Sequence, residues 1–287
     1  PNMSMMEFYN SCLGRPYIDK SAQPVSLEAL QACVNPNIKW LKSASDCGIG
    51  VDCQGGYNVV VVKRKSPDGE KYQTIHLEVI CDDNPWNRLA KMMLDFNAVA
   101  VVDEKPNYNE ALRFAKEFPG KVWLANYVEG DRTPYLLAWG DKFEADESQK
   151  KSVKEIQLKN LVNISRFKFL DWSLSRWVTR QNETPHPRGL VAMLPKKKGE
   201  VILSPSLRLG NSEPAFICEE VYWDHLQRLV RAQVPIGGKD KVNNEGKFRM
   251  TYEYVGSDTH IAHADAYDNA AIMRVKKSTA REMLLEY

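Results

Sequence analysis

Short apolar runs and strict alternation fill the middle of the chain, broken at glycine, proline and acid. Gly48-Ile49-Gly50-Val51-Asp52 is a short apolar strand that ends on a carboxylate, and Gln54-Gly55-Gly56 turns the chain. Residues 57–64 are β-branched and predict a second strand, Ser66-Pro67-Asp68-Gly69 a turn, and residues 71–80 alternate as a third strand. The pattern therefore predicts a three-strand meander with an acid at the end of its first strand.

Beyond the meander the period changes to that of helices. Pro85 opens a helix with Trp86, Leu89, Met92 and Met93 at helical spacing, residues 97–102 form a buried strand, and Asp103-Glu104 ends it. A helix over 108–118 and a short strand over 121–125 follow. This strand–helix–strand succession implies parallel pairing by right-handed crossover. Leu170, Leu174 and Trp177 place a long helix between residues 152 and 180, and a second helix is expected over 215–230. Residues 235–246, rich in Gly, Lys and Asn, have the composition of a mobile loop; 248–254 alternate as a strand, and a helix over 262–273 closes the pattern. Near the start, Ser26 is placed to cap a helix running to residue 32. No internal repeat is visible.

Composition narrows the class without naming a function. The 287 residues are 43% hydrophobic and 26% charged, ordinary globular usage that excludes a disordered or fibrous chain. No apolar run approaches the roughly 20 residues of a membrane span, and the first residues carry no basic-then-apolar leader. The six cysteines form no Cys-x-x-Cys pair, which suits reduced thiols in a cytoplasmic protein. A net charge of +2 is too slight to announce nucleic acid, so the positions of the charges matter more than their sum.

Three acids stand where chain direction would gather them. Asp52 ends the first strand, Asp103 ends the buried strand after the first helix, and Asp265 lies near the start of the last helix. Neighbouring parallel strands put their carboxyl ends on one rim of a sheet, where α/β proteins bind ligands. Clustered carboxylates repel unless cations sit among them, and Mg²⁺ prefers oxygen ligands. Two such ions can activate a water and stabilise the leaving oxygen of a phosphodiester. Acids at the ends of strands one and four and on a late helix, after a meander, predict an α/β, ribonuclease-H-like mixed sheet flanked by helices.

The motifs around these acids resemble the C-terminal nuclease domain of the large terminase subunit of tailed bacteriophages. Phe8-Tyr9-Asn10-Ser11-Cys12-Leu13-Gly14-Arg15-Pro16-Tyr17 is similar to the family's segment joining motor to nuclease, and Gly50-Val51-Asp52-Cys53-Gln54-Gly55-Gly56 to its first acidic motif. Val101-Val102-Asp103-Glu104-Lys105-Pro106-Asn107 is similar to the second, and Asp258-Thr259-His260-Ile261-Ala262-His263-Ala264-Asp265-Ala266-Tyr267 to its His-Ala-Asp-x-Tyr run. The resemblance implies that Asp52, Asp103 and Asp265 are the metal-binding catalytic acids, with Mg²⁺ or Mn²⁺, two ions, as cofactor. It implies residues 1–40 as a linker from an ATPase motor lying upstream and 41–287 as the nuclease. The implied partners are double-stranded viral DNA, the portal protein and the small terminase subunit, in the cytoplasm of an infected bacterium and at the procapsid portal. No G-x-x-x-x-G-K-[ST] occurs, so no ATPase activity is expected of this chain.

Other residues are weighed around that core. Glu104 competes with Asp103 as ligand, because consecutive strand residues point to opposite faces and one of them faces the metals. Asp258 and Asp268 are candidate outer ligands, and His263 is expected beside the ligands rather than on the metal; a zinc site of His260, His263 and Asp265 would leave Asp52 and Asp103 idle. Lys196, Lys197, Lys198, Lys239, Lys241, Lys247 and Arg249, with Lys63-Arg64-Lys65, are candidate phosphate contacts. Trp172, Trp177 and Trp223 are read as core. Competing readings are a DNA-clamping or portal-docking module without catalysis, and a recombinase or resolvase of the same superfamily.

Overall fold

The computed structural model describes Cys12 and residues 22–67, 69, 71–81, 84–128, 135–142, 159–178, 189–192, 219–235, 248–255 and 259–275. Ser26 caps α1 (Leu27–Ala32), its hydroxyl accepting the Ala29 N–H at 3.2 Å, and β1 (Val34–Asn35) follows. The expected meander is present as β2 (Cys47–Cys53), β3 (Asn58–Lys65) and β4 (Tyr72–Ile80). Pro85 begins α2 (Pro85–Asp95), followed by β5 (Val99–Asp103), α3 (Tyr108–Glu117) and β6 (Val122–Val128). Then come β7 (Leu137–Trp139), β8 (Leu161–Ser165), α4 (Arg166–Ser175) and β9 (Gly189–Ala192). The last elements are α5 (Glu219–Gln227), β10 (Leu229–Pro235), β11 (Phe248–Tyr254) and α6 (His260–Arg274).

Two expected helices are shorter than their apolar spacing suggests. Val162 and Ile164 alternate with Asn163 and Ser165, and this segment pairs in parallel with β6, so residues 161–165 are a strand and only α4 keeps the helical period. The helix expected over 215–230 ends at Gln227; the alternating residues beyond it form β10, paired antiparallel with β11 from Leu229↔Tyr254 to Pro235↔Phe248. Lys196, Lys197, Lys198, Lys239, Lys241, Lys247 and Asp258 lie outside the described residues.

Among the described residues nine strands form one mixed sheet in the order β1-β9-β4-β3-β2-β5-β6-β8-β7. From β2 through β5 and β6 to β8 the strands are parallel, while β3 runs antiparallel between β2 and β4. Helices cover both faces, as the continuous apolar runs of the parallel strands require. Cys47, Ile49, Val51 and Cys53 of β2 pack with Trp86, Leu89 and Phe114 of α2 and α3. On the other face Val59, Val61 and Val101 pack with Leu170, Tyr222, Ala264 and Tyr267 of α4, α5 and α6. Val25, Leu30 and Cys33, from the segment expected to be a linker, are buried in this second layer. Among the described residues no helix is long and apolar enough to cross a membrane.

The α6 side of β2 carries Gly48 and Gly50, and the missing side chains let the helix backbone rest on the strand. A Cβ on Gly50 would strike the carbonyl oxygen of Ala264 and the backbone nitrogen of Asp268; one on Gly48 would lie 2.8 Å from the backbone nitrogen of Ile272. This notch seats α6 close enough for its first turns to reach the end of β2.

Candidate active site

Strand parity brings two of the three acids together. β2 and β5 are parallel neighbours in the register Val51↔Val102, so the next step along both sets Asp52 beside Asp103. Asp52 follows Gly50 by two and Asp103 follows Val101 by two, which puts both on the α6 side. They line a cleft of about 570 Å³ at the carboxyl rim of the parallel strands, together with Glu104, Lys105, Tyr127, Arg166, His260, His263 and Tyr267.

Asp52 is 3% exposed. Its Oδ2 lies 2.7 Å from Gln54 Nε2 and 2.8 Å from His260 Nδ1, and those two nitrogens are 2.9 Å apart. Tyr57 meets the His260 ring edge-on, with centroids 5.9 Å apart. Asp103 Oδ1 accepts the Lys105 backbone N–H at 3.1 Å, and Tyr267 lines the cleft with it. Burial pushes the Asp103 carboxyl up to about 7; the charges of Asp52 and Glu104 add to the rise, while the Lys105 N–H and the Tyr267 hydroxyl oppose it. Glu104 is also raised, by burial against the opposing charge of Lys105. His263 Nδ1 lies 3.1 Å from the Tyr127 hydroxyl, and loss of solvation lowers the His263 pKa.

Asp265 does not join them. The helix begins at His260, earlier than the pattern implied, and the stripe facing the cleft is His260, His263 and Tyr267 at i, i+3 and i+7. The Asp265 carboxylate, 1% exposed, faces the interior. There Oδ1 pairs with Lys63 Nζ at 2.6 Å and accepts the Tyr222 hydroxyl at 3.3 Å. Oδ2 accepts Trp177 Nε1 and Asn269 Nδ2, each at 3.4 Å. The expectation that three carboxylates meet on one rim is thus corrected to two, with Asp265 tying α6 to β3, α5 and the end of α4.

Asp268, expected as an outer ligand, is fully buried against Gly48, and among the described residues neither carboxyl oxygen has a hydrogen-bond partner. Burial raises its pKa well above the ordinary value, with Lys63 opposing and Asp265 adding. In the unfolded chain this carboxyl ionises near pH 4; in the folded protein it keeps its proton higher, so its cost to folding grows as pH rises from about 4. Asp268→Asn should therefore stabilise the protein at pH 7.5 by more than at pH 4.5, measured by urea unfolding. Equal gains at both pH values would contradict the buried neutral carboxyl.

Several expected phosphate contacts serve the fold instead. Lys63 is in the ion pair, Arg64 Nε donates to Gln73 Oε1 at 3.0 Å, and Lys65 Nζ donates to the Val275 carbonyl at 3.2 Å. Arg249 is exposed on β11 and does not line the cleft. Trp177 and Trp223 are buried as expected, with Trp172 partly buried beside them. The cations that do reach the cleft, Lys105 and Arg166, were missed. Arg166 directly follows β8, and its place at a strand end is hidden when residues 161–165 are taken as helix.

Among the described residues no three His, Cys, Asp or Glu side chains make a ready metal-ligand cluster. The donors in the cleft are nonetheless of the kind a hard cation takes: two adjacent carboxylates, one held up near 7, with Glu104 in the same cleft. No protein-family model matches the chain, and no curated protein or solved structure matches it at a significant level.

Proposed function

We propose that the chain is the metal-dependent endonuclease domain of a phage DNA-packaging terminase, of ribonuclease-H-like layout, and that it hydrolyses double-stranded viral DNA in the cleft of Asp52 and Asp103. One observation supports this above the others: two carboxylates on neighbouring parallel strands share one cleft, and burial with mutual repulsion pushes Asp103 up to about 7. That is unfavourable for the protein alone and is relieved by a divalent cation.

Asp52 and Asp103 would hold Mg²⁺ or Mn²⁺, with Glu104 as a further oxygen donor. When bound there, such an ion would promote ionisation of a water and offset charge on the phosphate. Gln54 and His260 fix the Asp52 carboxylate, and Lys105 and Arg166 give the cleft the positive charge a phosphodiester backbone needs. Asp265 acts on this reading through the fold rather than on the ion. Portal protein, small subunit and an upstream ATPase domain follow as partners from the same reading. The cation-free alternative, a DNA-clamping module, draws on the loss of the third acid from the cleft.

Plasmid digestion with Mg²⁺, Mn²⁺, Zn²⁺ or EDTA tests the proposal. Cutting is expected with Mg²⁺ or Mn²⁺, absent with EDTA and weaker as salt rises. Asp52→Asn and Asp103→Asn should each slow it at least about 100-fold while melting like the parent. DNA retention on filters without cutting under any cation would favour the clamping module.

A further inference from the structure

Each of the two neighbouring acids has one oxygen already engaged by the chain. Asp52 Oδ2 is met by Gln54 Nε2 at 2.7 Å and His260 Nδ1 at 2.8 Å, so both of its lone-pair directions are taken. Asp103 Oδ1 accepts the Lys105 backbone N–H at 3.1 Å. The two nitrogens on Asp52 are themselves held. The Gln54 backbone N–H donates to the Tyr57 carbonyl at 2.9 Å, closing the turn between β2 and β3, and the Tyr57 ring stands edge-on to His260. These contacts leave one oxygen on each acid for a cation, Asp52 Oδ1 and Asp103 Oδ2.

Two ions about 3.5–4 Å apart need a carboxylate to bridge them and further donors for each. Among the described residues the cleft adds only the carboxylate of Glu104 to this pair, since Asp265 is bound to Lys63 in the interior. One oxygen from each of two neighbouring strands, with Glu104, makes a set for one hard cation whose remaining ligands are waters. Lys105 and Arg166 line the same cleft and bring two positive charges, as many as a second divalent ion would.

We propose that the cleft takes a single divalent cation rather than the expected two, and that Gln54 is a positioning residue that sets this count by keeping Asp52 Oδ2 from a second ion. The proposal rests on the metal-dependent nuclease reading of the cleft and narrows it to one-ion hydrolysis. In that reaction Lys105 and Arg166 offset the phosphate charge that a second ion would otherwise meet.

The test is electron paramagnetic resonance of Mn²⁺ titrated into the whole chain, alone and with a short duplex whose phosphorothioate linkages resist cutting. The parent should show the spectrum of an isolated ion in both cases, at one ion per chain. Asp52→Asn and Asp103→Asn should each weaken its binding at least about 100-fold. Asp265→Asn should leave count and affinity unchanged. Gln54→Glu puts a carboxylate where the amide holds Oδ2 and should admit a second ion, seen as an exchange-coupled pair. A coupled pair in the parent, with or without DNA, would overturn the proposal, as would a parent that binds no ion or a cooperatively melting Asp265→Asn that loses it. Gln54→Glu remaining at one ion would overturn the part given to Gln54. Plasmid digestion by the parent separates the two readings: cutting beside a coupled pair keeps the nuclease and defeats the single ion, and one bound ion without cutting does the reverse.

Discussion

Gly50→Ala is expected to leave no stably folded protein. The added methyl meets the Ala264 carbonyl oxygen, the Asp268 backbone nitrogen and, at 2.8 Å, the Asp268 Cβ. Two of these are helix backbone, which no rotamer change can move. To admit the methyl, α6 must lift from β2, and the buried contacts of Ile261, Ala264 and Tyr267 go with it. Overpacking of a compliant core costs about 1–3 kcal/mol; here the cost should exceed that and approach the whole margin of roughly 5–15 kcal/mol that a domain has. Gly55→Ala and Gly56→Ala are the controls, since a Cβ at either meets nothing, and each should change stability by less than about 0.5 kcal/mol. A Gly50→Ala protein melting cooperatively within a few degrees of the parent would show that the notch is looser than described.

Lys63→Met should be the next most damaging change. Lys63 is 2% exposed and reaches across from β3 to pair with Asp265, to donate to Asn269 Oδ1 at 2.8 Å and to the Asp265 backbone carbonyl at 3.3 Å. Methionine fills the volume but leaves a buried carboxylate without its cation, and breaking such a pair costs about 3–5 kcal/mol. Lys63→Met/Asp265→Asn should recover part of that loss, because the amide keeps an acceptor for Tyr222 without the charge. Urea unfolding of the four proteins of the cycle measures the coupling; additive losses would mean that the pair contributes little. Asp265→Ala should accordingly lower stability, in contrast to Asp52→Asn and Asp103→Asn.

Much of this was legible in the chain. The apolar run of residues 48–52, the β-branched run of 57–64 and the alternation of 71–80 specified the meander, and the ends of β2 and β5 fell where the acids stand. The strand β8 was concealed because Leu170, Leu174 and Trp177 continue an apolar spacing that a reader extends backwards over residues 161–165. Parallel pairing with β6, 37 residues away in sequence, decided that segment, and local period carries no trace of it. Asp265 misled for a related reason. A helix offers a different direction every residue, and its facing depends on what packs beneath, here two glycines of β2 and a lysine of β3. The spacing of His260, His263 and Tyr267 was the available signal for the true cleft stripe, since i, i+3 and i+7 fall on one side of a helix.

The glycine notch also fixes an order of assembly. Asp52 and His260 are 208 residues apart, and β2, at the centre of the sheet, keeps one face open until α6 arrives to cover it. During synthesis the meander and the βαβ unit after it can form early, from local pairings. The helix that completes the core comes off the ribosome only with residues 260–274. The cleft wall carrying His260 and His263 is therefore the last part of the described chain to be built, and a growing chain holds its two acids without the imidazoles that later face them.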